Sequence, residues 1–341
     1  VEENEIKPES LLTYISLREL MIPEAYYLYI TTTADNVQEE KQHSEEHLGP
    51  AREYWWNEDY LELLARRLYI EYCQTLVDIG CGKGMMGFKF SKYMPAGARV
   101  YGVDYEPGYI EEARQRAHSQ YLHNSIDYEF KVGNATDIPL PDNTADVTLC
   151  QTLLIHVKNP QRVIQEMIRV TKPGGWVLAL EPNNLVPNLM FDRYGETDYN
   201  VEAMLDVLEV KLRIEKGKKQ LGEGFNSLGD VIPDLFLKAG LRDIKVWISD
   251  KALSIIPPYD TQEKMLRVEQ MLQWVESEAM GYDYQDNLNY YMAGGGQKEK
   301  FDAYWQTLLY SKIMLKEKLK NEEYVSAGGS LVYIVAAQKP R

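Results

Sequence analysis

The sequence predicts an α/β protein built on a mostly parallel sheet, and three observations predict it. From residue 75 onward, short apolar runs alternate with helical patterns in units of ~25 residues. The first run, Thr75–Ile79, leads into glycines at alternate positions, Gly80, Gly82 and Gly84. That spacing marks a strand that turns sharply into a helix while leaving bare backbone for a ligand to approach. The composition is globular: of 341 residues, 45% are hydrophobic and 26% charged, which excludes wholesale disorder. The length fits about two domains, or one domain with large additions.

The elements follow in order. Leu11, Leu12, Ile15 and Leu20 predict a helix that Pro23 stops, and an aromatic run, Tyr26, Tyr27 and Tyr29, comes next. After Trp55-Trp56, the residues Leu61, Leu64, Ala65, Leu68 and Tyr69 recur at helical spacing. Further strands are expected at Arg99–Val103, at the alternating Ile126, Tyr128, Phe130 and Val132, at Val147–Cys150 and at Trp176–Leu180. The helices between them start at Gly87, after Pro107 (with Ile110, Ala113 and Ala117), and at Asn159 as N-cap with Pro160 at N1. Asn200 can cap a helix carrying Met204, Leu205, Leu208 and Leu212. A helix at Asp230–Ala239 and a strand at Asp243–Ile248 resume the alternation. Asp260 with Glu263 reads as a capping box for a long helix through Val275. Gly294–Gly296 make a loose link to a helix bearing Phe301, Trp305 and Leu308, and Ser330–Gln338 is a final strand. The resulting organisation is an N-terminal helical cap (1–70), a core (71–183), an insertion (184–226), core again (227–250), a helical insertion (251–326) and core to the end (327–341).

Several function classes drop out. A net charge of −15 argues against a binder of nucleic-acid backbones, because the densest basic stretches, Lys216–Lys219 and Lys312–Lys320, are short. Cys73, Cys81 and Cys150 have no CxxC spacing, and His43, His47, His118, His123 and His156 are spread out, so no metal is expected. No run approaches ~18 apolar residues, so no membrane span is expected. The polar opening VEENEIKPES does not resemble a secretory leader, and a cytoplasmic location is the expectation.

The chemistry concentrates at Leu76–Gly84. Asp78 sits two positions before the first glycine. A second register, Gly82–Gly87, also satisfies the dinucleotide pattern GxGxxG, but it leaves Asp78 and Gly80 unexplained and starts three residues past the strand. Asp104, at the end of the second strand, can accept hydrogen bonds from both ribose hydroxyls of an adenosine. These features alone fix a ribose and leave the cofactor open.

The stretches VDIGCGKG, VYGVDYEPGYIEEARQRA, GNATDIPLPDNTADVTLC and RVTKPGGWVLALEP resemble class I S-adenosylmethionine-dependent methyltransferases, on the branch that includes ubiquinone/menaquinone-type enzymes. The resemblance covers residues 73–183, and 227–250 with 328–339 resemble the family's last helix and closing hairpin. It implies a Rossmann-like seven-stranded sheet of order 3-2-1-4-5-7-6 with the seventh strand antiparallel, and S-adenosyl-L-methionine as cofactor. It places Asp78, Gly80, Cys81, Gly82 and Gly84 at the methionine end of the cofactor. Asp104 then holds the ribose, Tyr105 packs on adenine, Asn134 and Ala135 read the adenine edge, and Gln151 lies beside the reactive end. The family commonly has Asp at position 134 and Phe at 145, where this chain has Asn134 and Ala145.

The implied reaction is methyl transfer to a small organic acceptor under a helical lid. His156 is the candidate catalytic base if the acceptor keeps its proton until attack, the alternative being a structural histidine. Tyr26, Tyr54, Tyr199, Tyr284, Tyr290 and Tyr291 form a second pool, and Glu181 and Asn183 either face the substrate or belong to a polar loop. Trp55-Trp56 read either as a wall over the ligand or as packing between helix and sheet. Protein or RNA methylation, and a catalytically silent cofactor binder, stand as alternatives; no D/N-PP-Y/F/W motif supports a nucleobase acceptor.

Overall fold

The computed structural model describes residues 49–120, 125–189, 200–277, 283–329 and 331–341. Most of the expected N-terminal cap, with Tyr26, His43 and His47, lies outside these residues, as do His123 and Tyr199.

The strands are β1 (Thr75–Ile79), β2 (Arg99–Asp104), β3 (Asp127–Val132), β4 (Ala145–Gln151), β5 (Thr171–Asn183), β6 (Arg242–Ile248) and β7 (Leu331–Gln338). They form one seven-stranded sheet in the order β3-β2-β1-β4-β5-β7-β6. β1 to β5 pair in parallel, and β7 runs antiparallel to both β5 and β6. This is the topology that the family resemblance implies.

The sheet is buried on both faces, which is why its central strands read as continuous apolar runs. The period of two sorts their side chains. Leu76, Val100, Leu149, Leu178 and Ile334 pack on one face with Leu61 and Leu64 of α1 (Glu58–Arg67). Val77, Ile79, Cys150, Val177 and Val335 pack on the other with Val163, Ile164 and Met167 of α4 (Pro160–Val170) and Phe236 of α6 (Ile232–Lys238). The remaining sheet helices are α2 (Met85–Ser91) and α3 (Pro107–Gln120). Asp146 fastens the base of β1, its Oδ2 accepting from the backbone of Gln74 and Thr75 at 2.9 Å each.

The insertions carry cores of their own. α5 (Val201–Leu221), α8 (Tyr284–Ala293) and α9 (Lys298–Lys320) enclose Val210, Ile214, Leu288, Tyr291, Phe301 and Trp305. α7 (Gln262–Glu276) contributes Val268 to a smaller cluster with Ile255, Tyr259 and Leu319.

Three local expectations change. The N-cap of α7 is Thr261, whose hydroxyl accepts from Lys264 N, while Asp260 pairs with the Lys264 side chain instead of forming a capping box. α2 begins at Met85, two residues before Gly87. β5 is longer than its apolar centre: its register against β4 jumps between Ala145/Thr171 and Val147/Trp176, so that Pro173–Gly175 bulge out of the ladder. By contrast, Asn159 and Asn200 cap α4 and α5 as the sequence predicts.

Candidate functional site

β1 and β4 end side by side, with Ile79 paired to Cys150. Beyond Ile79 the chain bends through Gly80, Gly82 and Gly84, at φ of +65°, +51° and +84°. An L-residue is strained in that region, which explains the alternate glycines. Gly80 and Cys81 donate their N–H groups to Val103 O at 2.8 and 3.1 Å, tying the bend to β2. Asp104 completes the tie. Its Oδ2 accepts from Gly82 N at 2.8 Å and its Oδ1 from Glu106 N at 3.0 Å. Burial raises the Asp104 carboxyl above its ordinary range, and these backbone donors oppose that rise.

A cleft opens on the bend. Asp78, Gly80, Cys81, Gly82 and Gln151 line it from the sheet. Gly49, Arg52 and Glu53 line it from the segment before α1, and Arg116 reaches it from α3. The bare glycine backbone, with the buried acids Asp78 and Asp104 at neighbouring strand tips, fits an adenosyl amino-acid cofactor.

Asp78 is 2% exposed. Its Oδ2 accepts from Gly87 N at 3.0 Å, so Gly87 serves a contact between helix and strand. Burial pushes the Asp78 carboxyl up to about 7, although the Gly87 hydrogen bond pulls the other way. A second buried acid lies in β5. Glu181, fully buried there, receives Leu153 N and Leu154 N on Oε1 at 2.9 Å each, and burial pushes it up to about 7. It shapes the turn after β4 without lining the cleft. The side chain of Asn183, also in β5, bonds Leu185 N and Asp230. In the turn after β4, Thr152 holds φ at +49°, an uncommon value for a β-branched residue.

The other expected residues lie as follows. Gly84 is the N-cap of α2. Tyr105 follows β2 and is 55% exposed. Asn134 uses Oδ1 to accept from Thr136 N and Oγ1 at 2.8 Å each, and Ala135 packs on the core beside β2. His156 is half-buried, five residues past Gln151, and donates its backbone N–H to Leu153 O; it does not line the cleft. Tyr291 is a core residue of the helical insertion, Tyr284 bonds Asp302, and Tyr290 bonds Glu223. Trp56 is buried in the sheet core, which settles that residue as packing.

Gly49, Arg52, Glu53 and Arg116 were not singled out by sequence reasoning. The available signal was the Gly49-Pro50 break before an aromatic pair, with Pro50 opening a short 3₁₀ turn, Pro50–Tyr54, that carries Arg52 and Glu53. Nothing local in α3 distinguishes Arg116 from its charged neighbours. Among the described residues, no group of three or more His, Cys, Asp or Glu could hold a metal ion, and no helix is long and apolar enough to cross a membrane.

Comparison with known proteins fits this geometry. A methyltransferase-domain family model matches residues 77–179. The chain is 32% identical over 192 residues to a ubiquinone/menaquinone biosynthesis C-methyltransferase of Cereibacter sphaeroides, covering 56% of this chain and 73% of that protein. It is 32% identical over 120 residues to an uncharacterized methyltransferase of Schizosaccharomyces pombe, covering 34% of this chain and 43% of that one. The chain thus spans about half the length of several curated relatives it matches. Among solved structures, the YcgJ protein of Bacillus subtilis aligns at a TM-score of 0.45 and 18% identity, covering 84% of this chain and all of that one. On the sequence match and the sheet order together, the chain belongs to the class I S-adenosylmethionine-dependent methyltransferases.

Proposed function

We propose that the protein transfers a methyl group from S-adenosylmethionine to a small organic acceptor, by in-line displacement at the C-terminal edge of the sheet. The observation that carries the reading is the cleft formed by Asp78, the glycine bend and Gln151 where β1 and β4 end. The cofactor supplies an activated methyl on a positive sulfur, a ready leaving group. The residues' task is therefore orientation and exclusion of water. In this reading Asp78, Gly80, Cys81, Gly82 and Gly84 hold the methionine end, and Asp104 holds the ribose hydroxyls. Tyr105 packs on adenine, Asn134 and Ala135 read its edge, and Gln151 borders the transferred methyl.

His156 is the proposed base for an acceptor that arrives protonated. Support is limited to its place after β4, and an acceptor that is already nucleophilic needs no base. The insertions 184–226 and 251–326 form the proposed lid; most of the cap 1–70 expected to join them lies outside the described residues. One contact supports it: Arg267 of α7 donates to Tyr54 O at 3.3 Å, linking the second insertion to the segment that lines the cleft.

The net charge of −15 supports a small acceptor over RNA. Calorimetric titration with S-adenosylmethionine and with NAD tests the cofactor; a preference for NAD defeats the proposal. Methylation of metabolite pools across a salt series tests the acceptor. A nucleic-acid acceptor would lose turnover steeply with salt, and tight cofactor binding with no turnover on any pool would favour a silent binder.

A further inference from the structure

The proposed cofactor carries two positive groups, the sulfonium and the ammonium, and one negative group, the α-carboxylate. A cation fixed in its cleft repels the first two and is useful only against the third. Arg52 is such a cation, lining the same cleft as Asp78, the glycine bend and Gln151.

The side chain is held in place from several directions. Its Nη2 donates to Thr152 Oγ1 at 2.5 Å, and the guanidinium lies 4.8 Å from the centroid of the Trp55 ring. The turn that carries it is pinned on two sides, by Glu53 to Arg116 at 2.6 Å and by Tyr54 O to Arg267. Burial pulls the guanidinium down to about 10, with Asp78 and Glu181 opposing the fall, so it stays ionised at neutral pH. A planar fork of donors is the group best matched to a carboxylate.

We propose that Arg52 binds the α-carboxylate of the cofactor's methionine moiety, opposite Asp78, and so makes binding depend on an intact amino-acid tail. The inference rests on the methyltransferase reading and deepens it: a residue outside the sheet, contributed by the segment before α1, selects amino-acid-bearing adenosyl ligands over truncated ones.

The test is a ligand cycle by calorimetry on the full chain. S-adenosylhomocysteine carries the carboxylate; 5′-methylthioadenosine keeps the adenosyl thioether and lacks the amino-acid tail. Arg52→Gln should weaken S-adenosylhomocysteine about 10- to 100-fold, the range of a lost charged hydrogen bond, and change 5′-methylthioadenosine by less than about 3-fold. Arg52→Lys, which keeps the charge and loses the fork, should recover part of the selectivity and covers the case in which the glutamine variant does not fold. Thr152→Ala, which removes the hydrogen-bond acceptor but leaves the guanidinium, should preserve the ratio of the two affinities. Equal weakening of both ligands in the Arg52 variants would mean that Arg52 only shapes the turn after β4, and overturns the inference alone. An unchanged S-adenosylhomocysteine affinity with a raised KM for the acceptor would reassign Arg52 to the acceptor and overturn it as well. A wild-type protein that binds neither nucleoside would remove the methyltransferase reading and this inference with it.

Discussion

At the end of β1, Gly80 and Gly84 hold φ of +65° and +84°, and a Cβ on either would meet only side chains, the nearest atoms being Leu153 at 2.7 Å and Phe88 at 2.6 Å. Where α5 passes α8, Gly217 sits within a helix, and a Cβ there would land 1.7 Å from Tyr290 O. Gly294, at the end of α8, meets Arg213 O of α5 in the same way at 2.0 Å. The first junction needs glycine for its dihedral angles, the second for the approach of two backbones. At the bend it is side chains, Leu153 and Phe88, that fill the place of a Cβ, and at the helix crossing it is backbone. Function and packing draw on the same missing atom for different physical reasons.

Substitutions can separate the two. The largest effect is expected at the bend from Asp104→Ala, which removes the acceptor of Gly82 N and the proposed ribose contact together. Cofactor affinity should fall by about 1.5–3 kcal/mol for each charged hydrogen bond lost; unchanged affinity in a calorimetric titration would remove the ribose role. Next is Gly217→Ala at the crossing. Alanine gains about 1 kcal/mol in helix propensity, but overpacking against a carbonyl costs about 3 kcal/mol. The net loss of about 2 kcal/mol should lower the Tm while cofactor affinity is retained. A Tm equal to wild type would mean that the helices do not approach so closely.

The pH dependence sharpens the contrast. Asp78 is pushed from an ordinary carboxyl value up to about 7 by burial. Between those values the folded state holds a proton that the unfolded chain has released, so this group's contribution to stability is full below about pH 4 and is lost as pH rises through about 7. Each tenfold change in proton affinity between the two states is worth about 1.4 kcal/mol. Asp78→Asn should flatten the Tm profile between about pH 4 and 7, leaving the Glu181 contribution, whereas Gly217→Ala should lower the profile without changing its slope. A slope unaltered by Asp78→Asn would place the proton elsewhere. The smallest effect belongs to a control. Gly97 has φ +81°, and among the described residues no atom lies within 4 Å of a Cβ built there. Gly97→Ala should therefore cost only the dihedral strain of about 1–2 kcal/mol, with binding unaffected. A larger loss would show that space around these turns is tighter than the structure indicates.

The sheet was legible because each strand carries local evidence: period-two or continuous apolar runs, closing glycines, and Asn159 and Asn200 at helix starts. The sheet side of the site was legible for the same reason, since Asp78, Gly80, Cys81 and Gly82 lie within one short stretch of sequence. The other wall was not. Arg52 comes to the cleft because a 3₁₀ turn some 25 residues upstream of the bend is anchored by Arg116 and Arg267, pairings at separations of 63 and 213 residues that leave no local pattern. The capping of α7 slipped by one residue because Asp260 and Thr261 are both competent caps, and a neighbouring lysine engaged the aspartate. Glu181 reads as a loop-end acid in sequence; its burial follows from β5 extending past its apolar centre, which only pairing with β7 reveals.

The position of β7 bears on how the molecule is made. In chain order it is the last strand of the sheet, yet it lies between β5 and β6, and among the described residues β6 has no other neighbour there. While a ribosome is still synthesising the chain, β5 waits with an unsatisfied edge and β6 with no partner until residues 331–338 emerge. By then the helices of both insertions have already been translated. The nascent protein must therefore keep an aliphatic edge apart from other chains while everything between β5 and β7 is translated, a period in which chaperone binding would matter most.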